Sequence, residues 1–91
     1  MRDSDASTVS LVYLARLREA FGLATESVAL PREVGTVAAL LAWLSRRGGA
    51  WAAELAPGRA VRVAVNHALA QPDTPVRAGD EVALFPPVTG G

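Results

Sequence analysis

The sequence predicts an α+β fold, a small mixed sheet with one main helix across one face. Three observations carry this. Segments that read as strands and helices do not alternate as βαβ units. One long segment repeats apolar residues at i, i+3, i+4 and i+7 (Val37, Leu40, Leu41, Leu44), the spacing that lays a single stripe on a sheet. The chain has 91 residues, 51% hydrophobic and 20% charged, which suits one folded domain with a single core.

Residues 1–7 are polar and read as a flexible N-terminal extension. "TVSLVYL" (Thr8 to Leu14) is β-branched and aromatic, with Val9, Leu11 and Tyr13 on one face and Val12 and Leu14 on the other. Both faces are largely apolar, so this strand is expected near the sheet centre. "ARLREAFG" (Ala15 to Gly22) reads as a short helix ending at a glycine. "TESVALP" (Thr25 to Pro31) is a second strand stopped by proline. Thr36 is positioned to cap the main helix. Arg46 and Arg47 fall in its predicted last turn, where cations suit the helix dipole, and Gly48 and Gly49 end it.

"AWAAEL" (Ala50 to Leu55) reads as one more helical turn. Trp43 and Trp51 are expected to cover the core rather than stack on a ligand. "RVAV" (Arg62 to Val65) is a strand, followed by an Asn66-His67 turn before "ALA" (Ala68 to Ala70). "RAGDE" (Arg77 to Glu81) is a turn with Gly79 available for positive φ, and "EVALF" (Glu81 to Phe85) is the final strand. Pro86 and Pro87 forbid its continuation. The expected organisation is an extension at 1–7, a domain at 8–85 and an extended tail at 86–91.

Composition excludes several classes of function. Formal net charge is +0, and no basic run is longer than Arg46-Arg47, so the electrostatic footprint of a nucleic-acid binder is missing. The longest apolar run, "VAALLAW" (Val37 to Trp43), falls far short of the ~20 residues that span a bilayer. The start, "MRDSDAST", lacks the apolar stretch of a signal peptide. With no cysteine, disulfides, thiol catalysis and thiolate metal sites are all removed. A cytoplasmic location is the expectation. All nine basic residues are arginines, so the only primary amine is the N-terminus.

A catalytic constellation is missing too. His67 is the single histidine and reads as a solvent-facing turn residue, with no Asp or Glu at metal-ligand spacing. Asp80 and Glu81 are adjacent, so a strand sends them to opposite faces, a poor geometry for an acid/base pair. Asp80 is expected to stabilise its turn. No P-loop, dinucleotide fingerprint or nucleophile elbow occurs. A self-contained enzyme is not expected, and no metal is.

What remains is the ending, "FPPVTGG" (Phe85 to Gly91). Two prolines hold the backbone near polyproline II, which advances about 3.1 Å per residue without internal hydrogen bonds. Six such residues reach roughly 15–20 Å past the sheet. Stiffness lowers the entropy lost on capture. Gly90 and Gly91 lack Cβ atoms and can enter a channel too narrow for a side chain.

"GDEVALFPPVTGG" (Gly79 to Gly91) closely resembles the C-terminus of the MoaD family, the small subunits of molybdopterin synthase. "AVN" (Ala64 to Asn66) and "ARLRE" (Ala15 to Glu19) resemble further family positions, and the resemblance covers residues 8–91. "GDEV" is shared with other ubiquitin-like sulfur carriers, whereas "FPPVTGG" points to MoaD within that group.

The resemblance implies a β-grasp, ubiquitin-like fold and a mechanism. A MoeB-like activating enzyme uses ATP to adenylate Gly91. A sulfur donor such as a cysteine desulfurase then turns it into a thiocarboxylate. The tail enters the large, MoaE-like subunit and delivers sulfur to cyclic pyranopterin monophosphate, in an expected heterotetramer. Gly91 would carry the sulfur. Gly90 and Thr89 would thread the channel, Pro86, Pro87 and Val88 would position the thread, and Phe85 would anchor its base. Leu69 and Leu14 are implied interface positions, although either would also suit a core. Arg18 is an interface contact or a solvated arginine. Asp80 stays structural. Most catalytic side chains would belong to the partners. A carrier for another pathway (thiamine, thio-tRNA or cysteine) and a ubiquitin-like protein modifier would use the same Gly-Gly ending.

Overall fold

The computed structural model describes residues 8–87. The expectations for residues 1–7 and for Val88, Thr89, Gly90 and Gly91 lie outside the described residues. The elements, in order, are β1 (Thr8–Tyr13), α1 (Ala15–Phe21), β2 (Thr25–Ala29), α2 (Val37–Ser45), α3 (Gly49–Glu54), β3 (Arg62–Val65), β4 (Ala68–Leu69) and β5 (Glu81–Phe85). Five strands form one mixed sheet in the order β2-β1-β5-β3-β4. β1 and β5 are parallel, and the other neighbours are antiparallel. This is the β-grasp arrangement that the resemblance implies.

Period two divides each strand between the two faces of the sheet. Val9, Leu11 and Tyr13 of β1, Val63 of β3 and Val82 and Leu84 of β5 are buried on the inner face. Leu17 of α1 and Val37, Leu40 and Leu44 of α2 complete the core with Leu30, Val34 and Val76. β1 lies inside the sheet as expected, but the middle place belongs to β5. That difference follows from pairing: β5 is bracketed by β1 and β3, segments remote from each other in sequence. Leu41, on the predicted stripe, is only partly buried, as are Trp43 and Trp51, which pack on the core's margin.

The start of α2 shows how its orphan donors are met. Thr36 Oγ1 accepts the Ala39 N–H at 3.2 Å. The loop after β4 takes the two preceding donors, Val37 N–H to the Thr74 carbonyl (3.0 Å) and Ala38 N–H to the Pro72 carbonyl (2.9 Å). At the other end α2 stops at Ser45, so Arg46 is the cap and Arg47 lies beyond the helix. Arg47 leaves the helix axis to grip Glu26 of β2 through both terminal nitrogens, at 2.8 and 3.3 Å. The buried Tyr13 donates its phenol to the same carboxylate at 2.6 Å. Arg47 also lies over the Trp51 ring at 4.3 Å, and Trp51 stacks on Phe21 at 3.8 Å. This cluster ties the edge strand β2 to the ends of α1, α2 and α3.

Candidate functional site

β5 delivers the tail. Val82 and Leu84 point inward and are fully buried, so Ala83 and Phe85 face out on the sheet side opposite the helices. Register sets what surrounds them. Ala83 pairs with Val12 on one side and Ala64 on the other, and Ala64 pairs with Leu69. Cross-strand partners share a face, so Val12, Ala83, Ala64 and Leu69 form one apolar row. Phe85 pairs with Arg62 in the next row, and Leu14 follows the β1 register beside it, its N–H donating to the Leu84 carbonyl at 3.1 Å.

Leu14 and Leu69 are therefore not core residues. They are 43% and 68% exposed, the exposed large hydrophobics among the described residues. With partly buried Phe85 they bring three of the sequence-predicted positions to one open face. Its apolar side chains gain about 25 cal/mol per Å² when a partner covers them. Arg18 is exposed on α1. Pro86 and Pro87 are partly buried and border a cleft of about 370 Å³ with Arg16, Gly58, Arg59 and Ala60. Sequence reasoning missed Arg16, Arg59 and their shared partner Glu54. Arg16 and Glu54 are 38 residues apart, beyond any local pattern.

The turn before β5 is held structurally, as its residues suggest. Asp80 accepts the Arg77 N–H at 2.8 Å through one oxygen and the Asn66 amide at 2.9 Å through the other. Asn66 in return accepts the Glu81 N–H at 3.0 Å. Asn66 and His67 both have positive φ, 51° and 73°, the geometry of a tight two-residue hairpin turn. The His67 side chain is 83% exposed, 3.8 Å from Glu81. Among the described residues no group of three His, Asp or Glu side chains is placed to hold a metal ion. No helix among them is long and apolar enough to cross a membrane.

A wider apolar groove of about 580 Å³ lies between α2 and β3, lined by Val37, Leu41, Leu55, Val61, Val63 and Pro72. It opens on the helix side of the sheet, away from Phe85. Around the tail root itself, the described residues provide apolar contact area, guanidinium groups and a stiff exit, and no acid/base pair.

Such a sheet, with an open apolar face and a Gly-Gly ending led out by the middle strand, defines a ubiquitin-like carrier domain. The chain belongs to the ThiS family, whose model matches residues 11–91. It is similar to the molybdopterin synthase sulfur carrier subunit of Escherichia coli, 37% identical over 83 residues that cover 91% of this chain and 99% of the relative. Among solved structures it is similar to the putative molybdopterin converting factor subunit 1 of Pyrococcus furiosus, with a TM-score of 0.74 at 27% identity over 91% of this chain and 100% of that one. It is also similar to SAMP1 of Haloferax volcanii, with a TM-score of 0.70 at 29% identity over 92% and 99% of the two chains.

Proposed function

We propose that this protein is the sulfur-carrier subunit of a molybdopterin synthase, acting in the cytoplasm. One observation carries the reading: the middle strand β5 ends at an apolar open face and passes directly into Pro86 and Pro87, ahead of Val-Thr-Gly-Gly. The name of the Escherichia coli relative supports the same role.

The chemistry follows from what the chain lacks. It has no thiol, so carried sulfur needs an acyl group, and the Gly91 carboxylate is that group. A carboxylate is a poor electrophile. An activating enzyme of the MoeB type would join it to the AMP of ATP with loss of pyrophosphate, creating a good leaving group. A persulfide from a donor such as a cysteine desulfurase would then displace AMP to give an acyl disulfide. A second thiol on the donor or a small-molecule thiol would reduce the S–S bond, leaving a thiocarboxylate on Gly91 and a disulfide on the reductant. The large subunit would bind the open face at Leu14, Leu69 and Phe85, thread Val88 to Gly91 through a narrow channel and use the sulfur on its pterin substrate.

Intact-mass analysis of protein from a cofactor-competent host tests this. The expected result is a species with one oxygen of Gly91 exchanged for sulfur, and loss of molybdopterin formation when Gly91 is deleted. Normal molybdopterin formation by the deletion variant refutes the proposal. The similarity to SAMP1, a small archaeal modifier protein, favours a second reading, in which Gly91 forms an amide with lysines of other proteins. Lysines in trypsin-digested lysates that carry the Ala78 to Gly91 segment left after Arg77 distinguish it.

A further inference from the structure

A basic cleft flanks the root of the tail, and the function proposed above leaves it unused. Arg16 comes from the first turn of α1 and Arg59 from the loop after α3. Both reach Glu54, the last residue of α3. Arg16 Nε donates to Glu54 Oε1 at 3.1 Å and Arg59 Nη2 to the same oxygen at 3.0 Å. The loop is bent back for this by Gly58, at φ 91°, and by the Arg59 N–H to Ala56 carbonyl bond of 3.0 Å. Partial burial pushes the Glu54 carboxyl up, but the bonds from Arg59 and Arg16 and their charges outweigh it and hold the group below its ordinary value. Glu54 is thus ionised at neutral pH, and one carboxylate meets two guanidinium groups.

The surplus is presented outward. The Glu54 side chain is 16% exposed, whereas those of Arg16 and Arg59 are 48% and 47% exposed. A guanidinium has five N–H donors in a planar fork, and the bonds to Glu54 engage one nitrogen of each. Planar, half-exposed and held in place, the pair suits a second carboxylate.

Charge is also sorted along the domain. Arg16, Arg18, Arg59 and Arg62 lie on α1, the cleft loop and the β3 end beside Phe85, against Glu19 and Glu54 there. Glu81 begins β5 at its other end, roughly 13 Å away at strand rise, with Asp80 and Arg77 in the turn before it. A chain of zero net charge is therefore positive where its tail leaves.

We propose that Arg16 and Arg59 form a clasp for a carboxylate side chain on the protein that receives the tail, at the mouth of its channel. This rests on the carrier reading. The occupant follows from place and charge: two half-exposed guanidinium groups beside the tail root match an anionic group on whatever protein takes up the tail. Pro86 and Pro87 border the same cleft, so a protein that takes up the residues beyond them comes against it. What comes against the cleft is the rim of the channel. Exposed complementary charges at such a rim act mainly on the rate of encounter.

The test is association kinetics of the full chain with the large synthase subunit of the same organism. The double variant Arg16→Glu/Arg59→Glu is expected to slow association about tenfold at low ionic strength, with the gap closing as salt rises. Arg77→Glu, at the opposite end of β5, is expected to leave the rate unchanged, and circular dichroism verifies that each variant is folded. An unchanged rate for the double variant, with the wild type binding, overturns the clasp and leaves the carrier reading standing. Repeating the pair of measurements on protein truncated after Pro87 separates a second source of carboxylate. The clasp predicts that the effect of charge reversal persists. Its loss on truncation assigns the arginines to the tail's own carboxylate and overturns the proposal. A wild type that does not bind the large subunit overturns the carrier reading, and the clasp with it.

Discussion

Glu26→Ala removes the acceptor that joins Tyr13 to Arg47, and its effect can be worked out from the geometry. The Tyr13 residue is fully buried and its phenol donates to Glu26 at 2.6 Å. Without that acceptor the phenol is left unsatisfied, at a cost of about 1–3 kcal/mol. The Arg47 fork is lost as well. Its side chain is 32% exposed and that of Glu26 is 20% exposed, so solvent screening limits this loss to about 0.5–1 kcal/mol. Together they give about 1.5–4 kcal/mol. At about 4–8 °C per kcal/mol for a domain of this size, Tm falls by roughly 6–32 °C.

Tyr13→Phe removes the donor while Arg47 still holds the carboxylate, and is expected to cost about 1 kcal/mol. In that background Glu26→Ala orphans nothing and costs only the exposed pair. The double-mutant cycle should therefore show a coupling of about 1–3 kcal/mol by urea unfolding at constant m. An equal cost of Glu26→Ala in both backgrounds refutes the reasoning, because it would mean that the phenol does not depend on Glu26.

Four further outcomes are expected. Partial burial pushes the Glu26 carboxyl up, but the bonds from Arg47 and Tyr13 outweigh it and hold the group below its ordinary 4.5. Its contribution is thus complete above that ordinary value and lost as pH falls through the lower folded value, so the stability gap between wild type and Glu26→Gln should narrow in acid unfolding below about pH 4.5. Leu69→Glu, 68% exposed on the open face, should leave the Tm within a few degrees while weakening binding to the large subunit at least about tenfold by calorimetry. Thr36→Ala frees the Ala39 N–H and should cost about 1 kcal/mol in urea unfolding. Leu84→Ala, fully buried in the middle strand, should cost about 2–5 kcal/mol and make the tail root sensitive to proteolysis.

Much of this molecule was legible in its sequence, because many of the signals are local. Thr36 caps its helix within one turn, Gly22 takes the left-handed cap of α1 at φ 76°, and β5 stops at the residue before Pro86, whereas β2 ends at Ala29, two residues short of Pro31. Period two along β1 set Val9, Leu11 and Tyr13 on one face, and that is the face the structure buries. The last turn of α2 was misplaced because a cation near a helix end is compatible with the dipole and with a distant carboxylate alike, and Arg47 took the carboxylate.

By itself, the sequence determined the α+β class, the order and approximate limits of the elements, the absence of a thiol and a lysine, and the stiff Gly-Gly ending. Only the tertiary structure decided that β5 takes the middle of the sheet, that Leu14, Leu69 and Phe85 meet on one open face, and that Arg16, Glu54 and Arg59 converge beside Pro86 and Pro87. The physical reason is range. Caps, turns and periodicity are set by backbone geometry over a few residues, whereas strand order and side-chain convergence are set by burial of one shared core, which brings together residues tens of positions apart.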